Sequence, residues 1–300
     1  MENGKHPRRG IRERALQDNS LHWQTGLVLG LIVPDLSSYF CTQAFNAIEK
    51  VAAGQQYNLM VGQTNGRPEK EKMLVHQFAA RQVAGIIISV SGNRKDYSQF
   101  LELNNLDLPV VFLGNIPDEE NIYFVASDLA YGLTHGVRAL REAGYHHFGL
   151  INGPEKLASA RQILAAYFHG LKANGIDADP RLIVPTDLTE KENISALHKL
   201  LSLPTPPAAI FVFNEQILGD CLKTIEKMEK PGKSIQLISF SAWQQYIPHG
   251  ANKPAFIEQF PALQGKLAAN YLLDIVQKKN LTKGPLRYFQ VLINSELVFI

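Results

Sequence analysis

From residue 27 onward the chain alternates short apolar runs with longer amphipathic stretches. The run LGLIV at 29–33 has no polar alternation, which predicts a strand buried on both faces. Comparable runs at 27–33, 58–61, 85–90, 110–113, 122–125, 148–151, 209–213 and 236–240 are the candidate strands. Helices are predicted between them. Ala44, Ala47, Ile48 and Val51 fall at helical spacing, as do Leu129, Leu133, Val137 and Leu140, and Ile163, Tyr167 and Leu171. Ser127 or Asp128 is placed to cap one helix, and Asn174-Gly175 to end another. Two further helices are expected over 215–229 and 262–278, and RYFQVLINSELVFI at the end of the chain reads as edge strands returning to a sheet.

Strand, helix, strand at this spacing predicts right-handed βαβ units, hence an α/β fold with parallel sheets covered on both faces. The strands are too many for one comfortable domain and divide near Gly144-Tyr145 into two successive halves.

Polar and aromatic clusters follow strand after strand. They are Ser37, Ser38, Tyr39 and Phe40; Ser91-Gly92-Asn93; Asn115; Asn152-Gly153-Pro154; Asn214-Glu215; and Ser241-Ala242-Trp243. In open parallel sheets the ligand crevice lies beyond the carboxyl ends of the strands. Hydroxyls and amides there hydrogen-bond a polar ligand while rings cover its apolar faces. A single polar loop means little. The recurrence points to a small-molecule site.

Composition narrows the classes. With 300 residues and 45% apolar content the chain has enough material for two compact cores. The net charge of +2, from 30 basic and 28 acidic residues, provides no global field toward nucleic acid. The first fourteen residues are a local exception, with Lys5, Arg8, Arg9, Arg12 and Arg14 against Glu2 and Glu13, and they read as a solvated tail. Cys41 and Cys221 are the only cysteines, too few for a disulfide framework or a zinc site. No apolar stretch approaches the roughly 18 residues that span a bilayer, and no signal-peptide core stands at the N-terminus, so a soluble, cytoplasmic chain without a membrane partner is expected. GxGxxG after a strand, GxxxxGK[ST], HExxH and GxSxG are all missing, and Asp35, Asp128 and Asp187 are not paired at short range. Neither an enzyme nor a cofactor is expected. Adjacent side chains point apart, so His146-His147 reads as a surface pair rather than a metal site.

The segments LGLIVPDLSSYF, GQQYNLMVGQTNGRPEKEKMLV, VAGIIIS, LPVVFLG, ASDLAYGL, LREAGYHHFGLINGP, PPAAIFVFNE and IEQFPALQGKLAANYLL occur in that order between about residues 26 and 299. Their succession resembles the effector-binding core of the lactose-repressor and galactose-repressor family of transcription regulators. The resemblance implies a type I periplasmic-binding-protein fold, with two doubly wound parallel-sheet subdomains joined by three crossovers near Gly144-Tyr145, Gln259 and Pro285. It implies a basic linker stub over 1–25, an N-subdomain over 26–145 with 259–284, and a C-subdomain over 146–258 with 285–300. It also implies a homodimer formed through helices flanking the sheets, such as 215–229 and 262–278.

The function so implied is a sensor. A small-molecule effector binds between the subdomains and controls operator DNA binding by a separate head. That head, a helix-turn-helix with a hinge helix, is expected before Gly26, where 25 residues are too few to form it. A solute-binding protein of a transporter is the alternative. The resemblance places Ser37, Ser38, Phe40 and Asp128 on one side of the ligand, and Ile163, Asn214, Ser241 and Trp243 on the other, with Gln259 at a crossover. Asp128, Asn214 and Gln259 match the family pattern. Ile163 stands where an arginine is common, and Ser241 where an aspartate is expected, so an effector more apolar than a free hexose is implied. Asp128 has two readings, ligand acceptor or cap of the helix beginning at Leu129.

Overall fold

The computed structural model describes residues 28–90, 97, 100, 102–103, 108–114, 116, 121–228, 235–240, 253–279 and 288–299. The chain begins with β1 (Val28–Val33), α1 (Tyr39–Gly54), β2 (Asn58–Gln63), α2 (Pro68–Ala80), β3 (Gly85–Ile88), β4 (Val110–Leu113) and β5 (Tyr123–Asp128). It continues through α3 (Leu129–Glu142), β6 (Phe148–Asn152), α4 (Ala158–Ala173), β7 (Ile183–Pro185), α5 (Glu190–Leu201), β8 (Ala209–Val212), α6 (Glu215–Glu226), β9 (Gln236–Ser239) and β10 (Ala255–Glu258). It closes with α7 (Pro261–Lys279), β11 (Gln290–Asn294) and β12 (Glu296–Phe299).

Two six-stranded sheets result, in the orders β11-β5-β4-β3-β1-β2 and β12-β10-β9-β8-β6-β7. The two orders are the same topology used twice, each half reversing direction beside its first strand. β11 runs parallel to β5, whereas β12, one residue later, runs antiparallel to β10. A strand that leaves one parallel sheet at its carboxyl edge and meets the next sheet antiparallel must enter that sheet at its carboxyl edge too. The carboxyl edges of the two sheets therefore face each other.

The unbroken apolar run of β1 is explained by cover on both faces. Leu29, Leu31 and Val33 enter a core with α1 and α7, while Ile32 points into the opposite core with Leu74, Val75 and Phe78 of α2. The second sheet is covered likewise, by Leu133, Val137 and Tyr167 from α3 and α4 on one face and by Leu197, Ile217 and Cys221 from α5 and α6 on the other. The apolar residues Ile217, Leu218, Cys221 and Leu222 of α6 are thus core of its own half. α7 lies so close on α1 that a Cβ at Gly265 would sit 2.5 Å from the Ala44 carbonyl oxygen.

The packing moves two expected boundaries. α3 packs on α4, β10 and β12, because Leu133, Val137 and Leu140 are buried against the second sheet. The chain therefore changes halves at Asp128–Leu129, not at Gly144-Tyr145. β11 belongs to the first sheet, with Val291 and Ile293 against its core, so the last change falls at Ser295 rather than Pro285. The intervening passage, from β10 to α7, runs through Gln259 and Phe260. Residues 1–27, including the basic stub, lie outside the described residues.

Candidate functional site

The facing carboxyl edges enclose a cleft of about 250 Å³. The first half contributes Pro34 and Asp35 after β1, Ser38, Phe40 and Cys41 at the start of α1, Ser89 and Val90 after β3, and Gly114 after β4. The second contributes Leu157 to Ser159, Gln162 and Ile163 on α4, Phe213 to Glu215 after β8, and Phe240 after β9. Leu129 and Gln259 line it at two of the crossovers. Parallel strands end together, so residues distant in sequence converge at one edge.

Helix starts shape the walls. The Ser38 hydroxyl accepts from the Cys41 N–H at 3.2 Å and caps α1, and Asn214 Oδ1 accepts from the Ile217 N–H at 3.0 Å and caps α6. Leu157, which precedes α4, offers no side-chain cap, which leaves the first N–H groups of the helix to solvent or ligand. The Phe40 ring lies over Gly114, whose φ of +77° and 2.9 Å gap from a built Cβ to the ring edge together require glycine. Across the cleft, the Tyr39 N–H donates to Glu215 Oε1 at 3.3 Å. Burial, and then the nearby Glu258 carboxylate, push the Tyr39 phenol above its ordinary value. Burial raises the Cys41 thiol, and it pushes the Cys221 thiol up to about 12, so neither holds appreciable thiolate at neutral pH.

The structure brings Ser38, Phe40, Ile163, Asn214 and Gln259 to the cleft wall. Ile163 is only 3% exposed and belongs equally to the core around Tyr167, Phe211 and Phe240. Ser37 is not on the wall. It is exposed, and its N–H and hydroxyl both donate to the Asp35 carboxylate, at 2.8 and 2.6 Å. Asp128 is not on the wall either; its Oδ1 accepts from the Tyr131 N–H at 2.9 Å and caps α3. Ser241 and Trp243 lie outside the described residues. Wall residues that sequence reasoning passed over are Ser89, Val90, Leu157, Gln162, Phe213 and Phe240. Val90, Phe213 and Phe240 end the apolar runs 85–90, 209–213 and 236–240, and an apolar residue at the end of a strand carries no mark that it faces a ligand.

The cap reading of Asp128 has a measurable consequence. Asp128→Ala should lower unfolding stability by about 1 kcal/mol, while Asp128→Asn, which keeps the acceptor, should leave it nearly unchanged. Neither should alter ligand affinity. Thermal denaturation with and without ligand checks both, and a large affinity loss in Asp128→Asn at unchanged stability would restore the ligand role.

Residues 29–280 match the family model described as periplasmic binding protein domain. The chain belongs to this family. Its two α/β halves joined by three crossovers are the type I fold of periplasmic binding proteins. Among relatives of this periplasmic binding protein domain, the HTH-type transcriptional repressor CytR of Escherichia coli strain K12 is 26% identical over 211 residues, covering 70% of this chain and 61% of CytR. The chain spans about three-fifths of the length of the curated relatives it matches. Two solved structures share the fold. The Cra transcriptional dual regulator from Pseudomonas putida, in complex with fructose 1-phosphate, has a TM-score of 0.76 at 18% identity, covering 91% of this chain and 98% of its own. The transcriptional regulator CelR in its cellobiose complex has a TM-score of 0.75 at 17% identity, covering 99% of this chain and 91% of its own. That the relatives are transcription regulators agrees with the resemblance carried by the ordered sequence segments.

Proposed function

We propose that this chain is the sensing part of a transcription regulator of the lactose-repressor and galactose-repressor kind, in which a small molecule bound in the cleft controls DNA binding by a separate head. One observation carries the reading: the cleft takes its walls from the facing carboxyl edges of both halves, so a ligand there touches both and changes the angle they prefer. The subdomains in this reading are 28–128 with 259–294, and 129–258 with 296–299. The chain acts as a homodimer in the cytoplasm and catalyses no reaction. Val61 on β2 and Met73 on α2 are exposed apolar residues available to a second copy. Among the described residues no helix is long and apolar enough to cross a membrane.

The wall chemistry narrows the effector. Phe40, Val90, Leu157, Ile163, Phe213 and Phe240 present apolar surface, and the charged groups among the described wall residues are the carboxylates Asp35 and Glu215. A phosphate brought within contact distance of either carboxylate meets a repulsion on the order of 1–4 kcal/mol. The effector is therefore an uncharged sugar-like molecule with an apolar face, chemically closer to cellobiose than to fructose 1-phosphate. A thermal-shift panel of cellobiose, phenyl β-glucoside, adenosine and fructose 1-phosphate tests this. A saturating ligand at about a hundredfold over its Kd contributes about 2.7 kcal/mol and raises the melting temperature accordingly. The expected responders are uncharged, and Phe40→Ala should weaken their effect. The strongest shift with fructose 1-phosphate, or none with any compound, would count against the reading.

A further inference from the structure

The crossovers, far apart in sequence, meet in one buried hydrogen-bonded group. Ser127, at the end of β5, donates its hydroxyl to the carbonyl of Gln259, the residue that follows β10. Gln264, in the first turn of α7, donates from Nε2 to that same carbonyl at 2.7 Å and to Ser127 Oγ at 2.8 Å. Ser295, the single residue between β11 and β12, donates its hydroxyl to the Asp128 carbonyl at 2.7 Å. Gly132 makes room for it, since a Cβ there would lie 2.1 Å from Ser295 Oγ. Ser127 is 4% exposed, and Gln264 and Ser295 are fully buried. Beside them Phe260 holds a left-handed φ of +54°, with its N–H donating to Glu258 Oε1 at 2.7 Å.

None of these side chains lines the cleft, and none is needed to cover a sheet. Their bonds join the first crossover to the second and the first to the third. A lone connecting segment has soft φ and ψ and bends independently of its neighbours. Segments tied through buried donors cannot, because turning one strands a polar group away from water. We infer that Ser127, Gln264 and Ser295 are positioning residues that pin the three crossovers into one hinge, so that the halves hold a single angle and change it only as a unit. Gln259 joins the pin to the cleft, since its side chain is in the wall and donates to the Phe240 carbonyl while its own carbonyl is the pin's acceptor. That link to ligand rests on the proposed function. The pin does not, and it is testable in the free protein.

Cys41 and Cys221 are buried, so spin labels can be placed on cysteines introduced at the exposed positions Lys50 on α1 and Lys172 on α4. Double electron–electron resonance then reads the distance between halves. The expected result is a narrow distribution in the parent chain, at least twofold wider in Gln264→Ala, Ser295→Ala and Ser127→Ala, and narrow again in Ser127→Thr, which keeps the hydroxyl. Tyr167→Phe is the control. It removes a buried bond from Tyr167 Oη to the Phe148 carbonyl within the second half, and should lower the melting temperature without widening the distribution. Unchanged widths in the pin variants, or equal widening in Tyr167→Phe, would overturn the inference. If Gln264→Ala does not fold, the Ser127→Ala and Ser127→Thr pair decides it.

Discussion

Phe211→Ala is expected to lower unfolding stability by about 3–5 kcal/mol, the largest effect of any substitution considered for this protein. Phe211 lies on β8 and is fully buried. Its ring meets Tyr167 edge-on at 6.0 Å and lies tilted against Phe148 at 6.4 Å and Phe240 at 6.1 Å. Removing it takes away both transfer energy and partners for three aromatic side chains, and the surrounding sheet and helices cannot collapse into the space. Phe240 also lines the cleft, so the damage extends to the wall behind which it packs. Denaturant unfolding measures the loss. A value below about 1.5 kcal/mol would mean that this core relaxes freely, contrary to its close packing.

Ile163→Arg should be nearly as costly. The family resemblance leads one to expect an arginine at this position, so the substitution restores the usual residue. Here the position is 3% exposed and packs in the aromatic core of the second half. A guanidinium placed there without a partner costs about 3–5 kcal/mol, the magnitude found when a buried charge is left uncompensated. Arg161, two residues earlier, does not stand in for it; among the described residues it is not part of the cleft wall and its buried Nε has no hydrogen-bond partner. The expected outcome is a marked fall in melting temperature with no gain in sugar affinity. Parent-like stability together with tighter sugar binding would show that an arginine here extends into the cleft instead of displacing the core.

The architecture was largely legible because burial on both faces leaves a direct trace. β1, β3, β4, β6, β8 and β9 are each a run without polar alternation, and the helices between them keep apolar residues at helical spacing. β7 and β10 escaped. β7 has three residues and ends in Pro185, and β10 carries a glutamate as its fourth residue, so neither stands out as an apolar run; they are strands because a neighbouring strand offers them hydrogen bonds. The cap pattern was similarly local: Asp128 precedes a helix, and a carboxylate there satisfies an orphan N–H whatever else surrounds it.

The site was legible only as a place. Because strands end where polar residues begin, the sequence alone implied a cleft at the carboxyl ends, and Ser38, Phe40, Asn214 and Gln259 could be placed there from the chain order and family pattern. It could not say that Ile163 is shared with a core, or that Phe213 and Phe240 face the opening, since each depends on contacts between residues tens of positions apart. The boundaries moved for the same reason. α3 has the same amphipathic pattern whichever sheet it covers, and β11 the same alternation whichever edge it joins. Local pattern determines that a helix or strand forms and which of its faces is buried. Which sheet receives that face is decided by the register of distant strands, and only the folded chain contains that information.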